Sequence, residues 1–370
     1  MKWGPKPVIL LGHGLRMSGA AHLAPKLLEL GVPVLTTWQA IDLVDNYHPN
    51  YFGRPGIYGQ RCANKILREA EHIVTIGSRN SIWTVGFEGF PWGARLTVCD
   101  IDEAEIAKLT RVDEAVLEDA GNFAQDLIIQ GEHVCDFWMF HCDEIRRKYP
   151  WLEPGTHDST DNYINSYQFI ARLQNYLRPD EIIVTDMGTA LIGAHQLFKL
   201  QPPQRLMTSG GLGEMGCALP AAIGASFATN KGEVLCLHCD GGMMMNLQEL
   251  QTIVHHQLPI KIIVFENNGY LMIKKTQGVM NMERSGVDSH SGVSCPDFRR
   301  LAQAMGIQAG DIYHKDEIPS ALLQLFNAKG PALLVFHMDP EQPLVPKLNP
   351  VKKEDGSMGS PDFADLSPRL

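Results

Sequence analysis

The sequence has no apolar run near the roughly 20 residues that a membrane-spanning helix requires. Nor does it have an excess of positive charge: 32 Lys and Arg stand against 42 Asp and Glu, a net charge of −10. Binding to nucleic acid or to an anionic membrane needs a positive field, so neither is an expected partner. Charged residues open the chain at Met1-Lys2-Trp3-Gly4-Pro5-Lys6, but no signal-peptide core follows them. Internal repeats and low-complexity tracts are missing too. Together these absences predict a soluble, cytoplasmic protein.

What is present is an ordinary globular composition, with 44% hydrophobic and 20% charged residues over 370 positions. That excludes global disorder, and the length exceeds most single domains, so two domains are expected. Eight cysteines are scattered widely, as in chains that keep their thiols reduced. The one CxxC, Cys236-Leu237-His238-Cys239, closes an apolar strand. Alternation there points its two thiols to opposite faces, against a metal pair. His133, Cys135, His141 and Cys142 have loose ligand spacing on a helical stretch, and packing is the better reading.

The first part alternates strand and helix. Apolar strands are expected at residues 8–11, 32–36, 72–76 and 95–99, with helices over 18–30 and 63–70. This pattern implies parallel crossovers and a sheet covered on both faces. Gly12-His13-Gly14 lacks the third glycine of a dinucleotide fingerprint, since Met17 stands there, and no acidic residue follows about 20 positions later. It reads as a tight strand-to-helix turn. Pro150-Trp151-Leu152-Glu153-Pro154-Gly155-Thr156 breaks both periodicities and marks a linker. Beyond it a helix is expected near 166–177 and a strand at 182–185. The segment after about Gln342, rich in Pro, Lys, Gly and Ser, reads as a surface tail.

The chemistry concentrates in residues 234–277. A buried strand over 234–238 ends in Cys239-Asp240-Gly241-Gly242, and a helix is expected from Asn246, which can cap it with Glu249 three residues on. A second apolar strand, 260–265, ends at Glu266-Asn267-Asn268-Gly269-Tyr270. Two parallel strands joined by one helix have their carboxyl ends on one sheet edge, where ligands of open α/β sheets bind. Asp240 and Asn267 should therefore be neighbours. A carboxylate, an amide oxygen and a carbonyl are hard ligands suited to Mg²⁺. Gly241 and Gly242, ahead of a helix start, let backbone N–H groups approach a phosphate.

An Asp-Gly pair, 25 residues, then Asn-Asn resembles the thiamine-diphosphate (ThDP) motif GDG…NN. Met245-Asn246-Leu247-Gln248-Glu249-Leu250 resembles the acetolactate synthase group of that family. So does Ser209-Gly210-Gly211-Leu212-Gly213-Glu214-Met215-Gly216, running on through Leu219-Pro220-Ala221-Ala222-Ile223-Gly224-Ala225. The resemblance implies an α/β fold of two domains, each a mostly parallel sheet with helices on both faces. Residues 1–150 would be the central, Rossmann-like non-catalytic domain, 151–160 a linker, 161–345 the diphosphate- and Mg²⁺-binding (PP) domain, and 346–370 a tail.

By the same resemblance Asp240, Asn267 and the Gly269 carbonyl would hold Mg²⁺. Gly188, Thr189, Gly213, Gly241 and Gly242 would face the cofactor, and Met215 would be the apolar wedge that bends it. The implied activity is decarboxylation of a 2-keto acid, pyruvate first, and transfer of the acyl unit to a carbonyl acceptor. A keto-sugar acceptor is suggested by the likeness of residues 270–277 and 352–357 to relatives found with modified-sugar biosynthesis. FAD, held by some members of the family, is not favoured, because Gly12-His13-Gly14 is only a turn.

Three departures from the pattern stand out. Cys239 occupies the motif's first glycine position, and Glu266 stands where the first asparagine often falls. The third is the pyrimidine-binding (PYR) domain, whose glutamate hydrogen-bonds the aminopyrimidine ring; it has no counterpart in these residues. The expectation is a separate PYR-domain subunit in a two-fold α₂β₂ hetero-oligomer acting on a small-molecule substrate. The alternative is a non-catalytic binding or regulatory subunit that retains a degenerate ThDP site.

Overall fold

The computed structural model describes residues 3–131, 136–160, 162–352 and 358–369. The chain forms two compact units. The first comprises Met1–Glu153, Lys199–Pro202 and Val345–Leu370, and the second Pro154–Phe198 and Pro203–Leu344.

The first unit is built on a five-stranded parallel sheet: β1 Pro7–Leu11, β2 Val34–Thr36, β3 His72–Ile76, β4 Arg95–Asp100 and β5 Glu114–Leu117, in the order β2-β1-β3-β4-β5. Every residue of β1 and β3 is buried, so both faces of the central strands are covered, as their unbroken apolar runs require. Leu15, Leu23, Leu27, Phe123 and Leu127 pack on one face against Ile9, Leu11, Val74 and Ile76. The Gly12-His13-Gly14 turn is used internally, with the Gly12 N–H donating to the Ile76 carbonyl and the Gly14 N–H to that of Gly77.

Three local readings change. The helix expected over 18–30 is broken into Gly14–Met17, a 3₁₀ turn Ala21–Leu23 and Ala24–Leu28, because Gly19 adopts φ +76° and Pro25 begins a new helix. The alternating strand β5 and the helix Ala120–Gln130 were not anticipated. The expected surface tail is anchored instead: among its described residues Leu348, Phe363 and Leu366 are buried in the first unit. Arg61 Nη1 donates to the Leu366 carbonyl at 2.5 Å and Asn64 Nδ2 to that of Phe363 at 2.9 Å. His141 pairs with Glu69 at 2.7 Å and Cys142 is buried, whereas His133 and Cys135 lie outside the described residues. The seven described cysteines are free.

The second unit carries a six-stranded parallel sheet: β6 Ile182–Thr185, β7 Arg205–Thr208, β8 Val234–Cys239, β9 Ile260–Glu266, β10 Gln308–Ile312 and β11 Ala332–His337. The order is β10-β11-β9-β8-β6-β7. After β6 the chain moves outward to β7, then returns to place β8 on the other side of β6. That reversal opens a crevice at the carboxyl ends of β6 and β8. Strands β8 and β9 are buried almost end to end, and Leu250, Ile253, Leu219 and Ala222 cover one face of them. Among the described residues no helix is long and apolar enough to cross a membrane.

Candidate functional site

Register places the chemistry. Cys239 pairs with Phe265 across β8 and β9, so the next residues, Asp240 and Glu266-Asn267, emerge side by side. The Asp240 carboxylate is fully buried and organises three backbone groups. Its Oδ1 accepts the Gly241 N–H at 2.8 Å, and its Oδ2 accepts those of Asn267 at 2.8 Å and Gly269 at 3.0 Å. Burial pushes its pKa up to about 7, against the opposing pull of these three donors. Asn267 is also buried, and its Oδ1 has no hydrogen-bond partner among the described residues. Gly269 has φ +138°, and a Cβ there would meet the Val287 carbonyl oxygen at 2.1 Å, so only glycine fits this turn.

The floor of the crevice is glycine for steric reasons. A Cβ on Gly242 would lie 1.8 Å from Asp186 Oδ2, and one on Gly241 2.2 Å from the Tyr270 ring. Gly188 and Thr189 stand at the start of the helix Thr189–Leu197, whose N-terminus opens at the end of β6. Cys239 fills the space between strand and helix: its Sγ lies 3.3 Å from Thr189 Oγ1 and accepts the Ala190 N–H at 3.5 Å. Burial pushes this thiol's pKa up to about 12, so it is a neutral packing group.

Gly213 and Met215 belong to the loop after β7. Leu212 is 94% exposed and Met215 39%, with Met244 and Met245 also exposed, whereas Met243 is buried in the core. Asn246 does not cap a helix with its side chain. A short helix Asp240–Met243 comes first, the helix Glu249–His256 begins after Gln248, and Asn246 Nδ2 instead donates to the Gly216 carbonyl at 2.7 Å. Asp186, the residue that follows β6, is fully buried and accepts the Gly216 N–H at 2.8 Å. An acidic residue directly after the apolar run 182–185 was the available signal.

Two family models match the chain. "Thiamine pyrophosphate enzyme, C-terminal TPP binding domain" covers residues 186–336 and "Thiamine pyrophosphate enzyme, central domain" residues 3–127. The chain belongs to the thiamine-diphosphate enzyme family. Its ThDP-enzyme relatives include a probable acetolactate synthase large subunit of Methanococcus aeolicus, 32% identical over 92% of this chain and 59% of that protein. Another is the acetolactate synthase isozyme 2 large subunit of Escherichia coli K12, 32% identical over 92% of this chain and 62% of that protein. The chain thus spans about three-fifths of the length of these relatives.

The residues present fit a magnesium-bound diphosphate. A carboxylate offers about four lone-pair sites, and three of those on Asp240 are engaged by backbone N–H groups. The remaining one and the Asn267 Oδ1 are hard oxygen donors. Among the described residues no cluster of three or more His, Cys, Asp or Glu side chains exists that could hold a metal. A cation here would therefore use amide, backbone and phosphate oxygens beside one carboxylate, a set that suits Mg²⁺.

Proposed function

We propose that this chain supplies the diphosphate- and magnesium-binding half of a ThDP-dependent, acetolactate synthase-like carboligase. The observation that carries the reading is the buried Asn267 Oδ1, without a partner among the described residues, beside the Asp240 carboxylate. Leaving such an acceptor unpaired costs about 1–3 kcal/mol, which a cation held by both residues and the Gly269 carbonyl would offset. Gly188, Thr189, Gly213, Gly241 and Gly242 would receive the diphosphate, and Met215 would press on the cofactor between its two rings.

ThDP, when bound, supplies the nucleophilic carbon that takes up a 2-keto acid, releases CO₂ and passes the acyl unit to a carbonyl acceptor. The chain's own contribution is to anchor the cofactor, fix its bend and keep water from the crevice. Pyruvate is the proposed donor and a keto sugar the proposed acceptor. FAD is no part of this reading, since the Gly12 and Gly14 N–H groups already donate to carbonyls of the first unit.

A PYR domain on another subunit would cover the crevice and bring the glutamate that meets the aminopyrimidine ring, in a two-fold α₂β₂ assembly in the cytoplasm. The exposed Leu212, Met215, Met244 and Met245 support a covered edge here. The test is CO₂ release from pyruvate by this chain alone, by a PYR-domain protein alone and by the mixture, with and without acceptors. Activity only on mixing is expected. Turnover by the chain alone refutes the two-subunit reading, and a mixture that forms a complex without turnover favours a non-catalytic subunit.

A further inference from the structure

Met215 is half exposed, so packing alone does not fix its side chain. What fixes its backbone is the peptide unit that follows. The Gly216 N–H donates to Asp186 Oδ1 at 2.8 Å, while the Gly216 carbonyl accepts from Asn246 Nδ2 at 2.7 Å. The two arms of this grip come from opposite sides of the crevice: Asp186 ends β6, and Asn246 lies in the connection after β8. Gly216 has φ +86°, and a Cβ there would lie 2.6 Å from Met245 Cβ and 2.7 Å from Asn246 Nδ2, so the grip closes only on glycine. Ser209 Oγ donates to the Glu214 carboxylate and ties off the other end of the loop.

Both arms serve this loop: Asp186 Oδ1 also accepts from Cys217 Sγ at 3.6 Å, on the residue after Gly216. The helix Glu249–His256 starts without a side-chain cap, so the Asn246 amide is not holding a helix end. Among the described residues the buried Asp186 Oδ2 has no hydrogen-bond donor; it lies 3.4 Å from His238 Nδ1 and is pressed against Gly242. A buried carboxylate is costly unless hydrogen bonds or a paired charge compensate it. Here one oxygen holds the Met215 loop and the other abuts the glycine floor, so a single side chain sets the distance between them.

We infer that Asp186 and Asn246 are positioning residues that clamp the Gly216 peptide and thereby set Met215 against the cofactor. The inference rests on the reading of Met215 as the wedge, and the two are separable by experiment. The full chain, labelled with ¹³C-methyl methionine, gives a Met215 resonance assigned by its loss in Met215→Leu. In Asn246→Ala and Asp186→Ala that resonance should shift, while in Asp186→Asn, whose amide oxygen still accepts the Gly216 N–H, it should stay near the wild-type position. Asn246→Asp keeps the size and removes the donor, and should behave like Asn246→Ala even if alanine harms folding.

In the complete assembly, Asn246→Asp should slow exchange of the ThDP C2 proton by roughly tenfold to a hundredfold, the cost of about an ångström of misplacement. The ThDP dissociation constant should change far less than that. An unmoved Met215 resonance in both the Asn246→Asp and Asp186→Ala chains overturns the clamp. A moved resonance with unchanged proton exchange supports the clamp and overturns the wedge reading on which its purpose rests.

Discussion

Asp240 Oδ2 accepts the backbone N–H of Asn267 at 2.8 Å, so the carboxylate that ends one buried strand dictates the path of the chain leaving the next. The same side chain holds Gly241 and Gly269. Asp240→Ala would leave three buried donors without an acceptor and should cost about 1–3 kcal/mol or more. Its loss of Mg²⁺-ThDP binding, read by isothermal titration of the complete assembly, should exceed that of Asp240→Asn, which keeps one accepting oxygen. Equal binding by wild type and both variants would remove Asp240 from the site.

Gly242→Ala tests the contact beneath the crevice. The new methyl would sit 1.8 Å from Asp186 Oδ2 and 3.2 Å from His238 Cε1, both fully buried. The carboxylate must move, at about 1–3 kcal/mol, and would carry the Gly216 bond with it. Combining Gly242→Ala with Asp186→Ala should cost less than the sum of the single changes, with a coupling above about 0.5 kcal/mol. Strict additivity in urea denaturation would mean that the two residues do not touch.

These contacts show what sequence could and could not convey. Residues 234–239 and 260–266 are unbroken apolar runs, so the strands were legible, and the crossover rule made Asp240 and Asn267 neighbours before any coordinate. The bond from Gly216 to Asp186 spans 30 residues and joins a side chain to a backbone group, which leaves no periodic trace. Asn246 was misread for a related reason. An asparagine that caps a helix and one that reaches a distant carbonyl stand in the same local pattern, and only the fold shows which acceptor is near. The strand β5 was missed because its residues alternate between half-buried and exposed at a sheet edge, too weakly apolar to register.

His72 makes the first unit sensitive to acid. Its Nδ1 accepts the Gly4 N–H at 3.1 Å and its Nε2 lies 3.0 Å from Thr97 Oγ1, an arrangement that needs the neutral ring. Burial, helped by the nearby Arg95, pushes its pKa down to about 4. Above the ordinary value near 6.5 the ring is neutral folded or unfolded and has no effect. As pH falls below 6.5 the unfolded chain takes up the proton and the folded one does not, so stability drops, by about 3 kcal/mol at pH 4, and then levels. Trp3 packs edge-on against His72 with centroids 6.1 Å apart and should report the loss by fluorescence. His72→Gln should be less stable at pH 7 but show a shallower decline between pH 6.5 and 4, and parallel declines would assign the acid sensitivity elsewhere.

Phe363 tests whether the C-terminal segment belongs to the core. Its composition of Pro, Lys, Gly and Ser suggested a surface tail, because the apolar residues that anchor it, Leu348, Phe363 and Leu366, are too widely spaced to form a pattern. In the fold Phe363 is 2% exposed and stacks on Trp92 at 4.5 Å between ring centroids. A Cβ on Gly86 would lie 2.8 Å from the same ring, so the ring sits directly on that turn of the chain. The bond from Asn64 Nδ2 to the Phe363 backbone carbonyl does not involve the Phe363 side chain, so Phe363→Ala isolates the ring. Removing a buried phenylalanine costs about 3–5 kcal/mol, whereas a change on a surface tail stays within about 0.5 kcal/mol. Urea denaturation followed through Trp92 decides between the two. A shift of the larger size should appear in the transition of the first unit, and an unchanged midpoint would return Phe363 to the surface.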